Sequence, residues 1–276
     1  GIDDARESLR ILNKYNESSL TNNQKITKRI AIFDIENGLK ELEEFPYHDY
    51  PLNQVRGIHH NIISFMSDMH PVRNHSEAKD FIKRTNLAKE VYAGVLDGLE
   101  RQAAASIFAP EFVYAHVIDQ LNEMIDYSYD EHPLYTQFMK KAELLDISSE
   151  ELATLEAKLI LSIENSVTPG FILLRDFMVS TRDKANPDHG IWSQPNGDEF
   201  YKLRIRTYTT TDYSPQKIHD IGISEVARIS TRMKEILVSL GYDADKTVGT
   251  LMNELNEDPS LLYADTPDRK EIVLKD

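Results

Sequence analysis

Nine histidines, at positions 48, 59, 60, 70, 75, 116, 132, 189 and 219, are the residues best suited to chemistry, since imidazole both moves protons and binds zinc. Chelation needs two of them on one face, and none opens a His-Glu-x-x-His pattern, in which paired imidazoles hold the ion and the glutamate activates water. His59 and His60 are adjacent, so on a helix their side chains diverge by about 100° and do not share an ion. The chain has no cysteine, which excludes disulfides, thiolate catalysis and sulfur-ligated zinc within it. It has neither a Gly-x-Ser-x-Gly elbow nor a glycine-rich phosphate loop. The expectation is that these residues hold no metal and no cofactor and supply no catalytic group.

Two other constellations stand out. Arg204 and Arg206 precede Thr209, Thr210 and Thr211, and two guanidinium groups near hydroxyls suit a carboxylate such as a peptide C-terminus. The alternative is that the arginines pair with surplus acid while Trp192 and Tyr201 pin a loop onto the helices. Further on, the apolar series Ile218, Ile221, Ile229, Met233, Ile236 and Leu240 is interrupted by Glu225. An inward carboxylate must be paired. Either Glu225 lines a cleft, or it forms an ion pair with Arg228 at i+3. His219 sits beside this stripe. The candidate cleft residues are therefore Arg204, Arg206, Thr209, Thr210, His219 and Glu225.

The elements that must position them are helical throughout, giving an all-α expectation of about ten helices. Thr21/Gln24 and Ser148/Glu151 read as capping boxes. Helical spacing predicts helices from about Leu52 to Met69, from Ser76 to about Phe108, from Pro110 through Met124, over roughly 134–146, and from the Ser148 cap through Ile163, with another starting at Thr168-Pro169. Gly94 and Gly98 suggest a closely packed neighbour. Ser214-Pro215 opens a long helix that Gly241 closes, Thr247 starts the next, and Thr266-Pro267 opens a last one in which the sequence ends. The Pro-, Gly- and Asn-rich stretch 183–199 carries the only tryptophan and reads as the longest irregular segment, with Asn196-Gly197 as a hairpin signal. The whole is read as one helical region, 1–276, with a sub-boundary in 183–199.

Composition sets the remaining limits. The net charge of −15 disfavours contact with phosphate backbones, so nucleic acid is not an expected partner. No run of 18 or more apolar residues reads as a transmembrane segment. Gly1 is read as a processing or cloning boundary, which leaves room for an export signal before it.

Gly190-Ile191-Trp192-Ser193-Gln194-Pro195-Asn196-Gly197-Asp198-Glu199-Phe200-Tyr201, followed by the run from Tyr208-Thr209-Thr210-Thr211-Asp212-Tyr213-Ser214-Pro215 to Arg228-Ile229, resembles the hallmark block of the bacterial domain-of-unknown-function family 885. Tyr50-Pro51-Leu52-Asn53-Gln54 resembles the same family's upstream segment. The resemblance implies a helical protein of the periplasm or outer envelope, often a lipoprotein. It also implies a relationship to zinc peptidases through a downstream His-Glu-x-x-Pro-Gly-His-His motif. This sequence stops at Asp276 without that motif, so no metal or catalytic residue carries over. The expectation is a cleft-forming helical part of a zinc metallopeptidase acting on peptides, with zinc only in a longer parent. The alternative is a non-catalytic helical binding or scaffold protein of the cell envelope.

Overall fold

Six of the helices begin where a nearby side chain takes up an amide that a first turn leaves unpaired. Helix α1 (Ile2–Lys14) is followed by α2 (Asn22–Glu44), where Thr21 Oγ1 accepts from the Gln24 amide at 3.4 Å and the Gln24 side chain accepts from the Thr21 amide at 2.9 Å. Helix α3 (Ile58–Ser64) starts six residues later than its periodicity suggests. The cause is Asn53, whose Oδ1 accepts from the amides of Val55 and Arg56 and holds the chain in a turn. The computed structural model describes residues 1–276. Helices make up 74% of the chain and there is no strand, which makes the protein all-α. A single isolated parallel bridge joins Pro110 and Asn186.

Beyond α3 the helix continues as a π-type turn, Phe65–Met69. The helix expected from Ser76 to Phe108 is two: α4 (His75–Asn86), capped by Asn74, and α5 (Ala88–Ala104). Then come α6 (Glu111–Asp126), α7 (Pro133–Ala142) and α8 (Ser149–Ser162), the last carrying the Ser148/Glu151 capping box. Helix α9 (Thr168–Thr181) is not a separate start at Thr168-Pro169. It continues α8 through a second π-type turn, Ile163–Val167. That turn places Ser166 against the break between α4 and α5. Its hydroxyl donates to the Asn86 carbonyl at 2.7 Å and accepts from the Lys89 amide at 3.0 Å.

The chain forms two compact units, Gly1–Thr207 and Tyr208–Asp276. In the first, α9 packs along α5 and α6, and α4 along α8. Phe81, Phe138, Tyr92, Phe171, Leu121 and Leu159 fill the core with no exposed surface. The run Ser149–Lys184 is long and apolar enough by length and composition to cross a membrane, yet much of it is buried in this core, as a central helix of a globular unit is. Gly94 and Gly98, by contrast, meet open space rather than a packed neighbour.

The segment after α9 makes no hairpin. Asn186 exchanges backbone hydrogen bonds with Ala109 and Glu111, and two short 3-10 turns lead to α10 (Gly197–Thr209). Asn196 adopts φ +56° and starts α10 instead of turning a strand pair. Trp192 does not pin the segment, being 62% exposed. The anchor is buried Gln194, whose Nε2 donates to the Tyr50 hydroxyl at 2.7 Å and to the Phe108 carbonyl at 2.6 Å.

In the second unit, α11 (Pro215–Ser239) is capped by Ser214 and ends at Gly241, whose φ of +95° is open to glycine without strain. Helix α12 (Val248–Glu257) packs on α11, and α13 (Arg269–Lys275) closes the sequence. Leu237 and Leu251 are the only buried apolar side chains of this unit. The stripe expected to face inward on α11 is largely uncovered, with Ile221, Ile229, Ile236 and Leu240 all exposed.

Candidate functional site

Arg204 and Arg206 lie on α10 in the first unit and reach toward α2. Arg204 Nη1 donates to Glu41 Oε1 at 2.8 Å, with the guanidinium carbon 5.7 Å from the centre of the Phe200 ring. Arg206 Nε donates to Asn37 Oδ1 at 3.2 Å, and its guanidinium lies 5.1 Å from the Phe33 ring. Both cations are thus oriented by side chains of α2 and by aromatic faces. Below them Phe45, Phe200 and Leu203 form a small cluster, and His48 joins it, its ring 4.9 Å from Phe200 and its Nε2 2.6 Å from the Pro195 carbonyl.

The other four candidates belong to the second unit. The hydroxyls of Thr209 and Thr211 share a hydrogen bond of 2.8 Å, and Thr210 takes φ +55° at the end of α10. His219 is on an exposed face of α11. Glu225 is exposed too, and Oε2 accepts from Arg228 Nε at 2.9 Å and Nη2 at 2.7 Å, which holds its carboxyl below the usual glutamate range. Of the two readings open in the sequence for Glu225, the geometry matches the ion pair.

Four of the histidines are buried in structural roles. His59 bonds the Gln120 side chain at 3.1 Å, and burial lowers its pKa. His70 Nδ1 contacts the Pro71 carbonyl at 2.8 Å. His132 Nδ1 accepts from the Leu134 amide as the N-cap of α7, and burial pushes its pKa down to about 4. His48 is committed to Pro195. No group of three or more histidine or acidic side chains comes close enough to hold a metal ion. The side chains present therefore do not fit zinc.

A feature that sequence reasoning missed is a half-open apolar groove of about 310 Å³ in the first unit. Its floor and walls come from α3 and its π-type turn (Ile62, Phe65, Met66), from α5 (Val91, Tyr92) and from the second π-type turn (Val167). Arg84, Thr85 and Asn61 provide its polar atoms. No sequence signal marks it. Nearby, Lys141 Nζ donates to the Ser67 and His70 carbonyls at 2.6 and 3.1 Å, sealing the end of the first turn.

Comparison with solved structures finds a crystal structure described as a putative lipoprotein from Colwellia psychrerythraea, 25% identical with a TM-score of 0.90. The match covers 99% of this chain and 48% of that one, so the chain spans about half the length of that relative. A search of curated proteins finds no match. The model of one family, described as "Bacterial protein of unknown function (DUF885)", matches residues 1–276 from end to end, and the chain belongs to that family.

Proposed function

We propose that residues 1–276 form a helical wall of a substrate cleft in a longer protein of the bacterial envelope, of zinc-peptidase type, whose metal and catalytic groups lie outside these residues. The observation that carries this reading is the match in which nearly all of this chain superposes on half of a longer lipoprotein-like chain. Four histidines of residues 1–276 are held in buried structural roles, which suits a wall that positions rather than reacts. On this reading Arg204 and Arg206 contribute polar groups to the cleft and the substrate is a peptide. The arginines would receive its carboxylate in an orientation already set by Glu41 and Asn37.

The test compares residues 1–276 with the complete reading frame, measuring bound zinc by mass spectrometry and cleavage of a mixed peptide library. The expected result is zinc and cleavage in the longer protein and neither in residues 1–276. Stoichiometric zinc or cleavage in residues 1–276 alone overturns the wall reading. A longer protein with neither overturns the peptidase and leaves a helical binding or scaffold protein of the envelope.

A further inference from the structure

The groove between α3, α4 and α5 lies in the first unit and shares no residue with the proposed cleft. Its accessible lining is almost wholly apolar, and its volume of about 310 Å³ is at the small end of the range for small-molecule sites. The charge pattern is specific. The protein carries 46 acidic residues against 31 basic ones, yet no acidic residue lines the groove and one cation, Arg84, does. Other surface arginines of this unit are neutralised: Arg73 pairs with Glu77 at 2.7 Å and Arg101 with Asp97 at 2.5 Å. Arg84 has no carboxylate partner, is exposed, and sits at the last turn of α4 next to the Thr85 position. An apolar trough with a lone guanidinium at its edge complements a molecule with one anionic head and a short hydrocarbon body.

A second, independent feature points to the same place. Phe65 and Met66 come from one π-type turn and buried Val167 from the other, so both such turns of the chain border this groove. Such turns interrupt a regular helix at a cost, and they occur frequently at functional sites.

We propose that this groove binds a medium-chain fatty acid, its alkyl chain along Ile62, Phe65 and Val91 and its carboxylate on Arg84. Isothermal titration calorimetry of residues 1–276 with decanoate, below its micelle concentration, tests this, with decanol as the uncharged comparison. Saturable one-to-one binding of decanoate is expected. Arg84→Gln lies on the surface and should leave the far-UV circular dichroism unchanged. It should weaken decanoate about tenfold, the loss of one charge-assisted hydrogen bond, and leave decanol unaffected. Val91→Trp fills the groove from its half-exposed rim and should abolish binding of both. Absence of saturable binding overturns the proposal. So does decanoate binding that Arg84→Gln leaves unchanged, or binding that survives Val91→Trp in a folded protein.

Discussion

His132 caps α7 from a fully buried position, and its Nε2 has no partner. With its pKa pushed down from 6.5 to about 4, the unfolded chain takes up the proton more readily than the folded one. Stability from this residue is therefore complete above about pH 6.5 and is lost as pH falls toward 4, by ~3 kcal/mol at most. Urea unfolding at pH 7 and pH 4.5 should show the decline. His132→Asn keeps a capping oxygen without titrating, so it should reduce the pH dependence. It should not erase it, because His59 and His70 are lowered by burial in the same direction. Arg204 gives a second prediction. Its bond to the half-buried Glu41 makes it structural, so Arg204→Ala should destabilise the first unit by about 1–3 kcal/mol in urea. An arginine serving only a ligand would leave the midpoint unchanged.

Among the elements, two glycines decide how segments approach. A Cβ on Gly197 would lie 1.8 Å from the Ile191 carbonyl oxygen, which is backbone and cannot swing aside. Gly197→Ala should therefore loosen the start of α10 and lower the thermal midpoint more than Gly98→Ala, which meets open space. Gly170 holds α9 against Tyr92, and there a Cβ would come within 2.5 Å of Cδ2. Helix boundaries were the most legible feature of the sequence, since the Thr21/Gln24 and Ser148/Glu151 boxes and the Ser214 and Gly241 caps are each satisfied within a few residues. What depends on distant partners was not legible. Ser166 seals the α4–α5 break from 80 residues away, and Gln194 anchors its segment through Tyr50 and Phe108, partners distant in the sequence. The same limit applied to the candidate site. Arginines, threonines and a glutamate were readable as chemistry, whereas their assignment to Glu41, Asn37 and Arg228 is a product of folding.

At the scale of the whole molecule, apolar burial is unevenly shared. The first unit has an extended core, while the second buries only Leu237 and Leu251. Amide hydrogen exchange follows local opening, and that opening is resisted chiefly by buried contacts. Amides in α11 to α13 should accordingly exchange well before those of α5, α6 and α9 in the isolated chain. In a longer parent that covers the exposed Ile223, Val226 and Ile229, the same α11 amides should become protected.

Trp192 is the only tryptophan of the chain, and more than half of its surface meets solvent. Its indole is thus a built-in fluorophore that emits as a hydrated ring even in the native protein. Selectively excited tryptophan emission will follow the short span held by Gln194 and Asn186 and will be nearly blind to the helical core. A denaturation curve recorded by emission and one recorded by ellipticity need not coincide, and their separation would report where the chain first lets go.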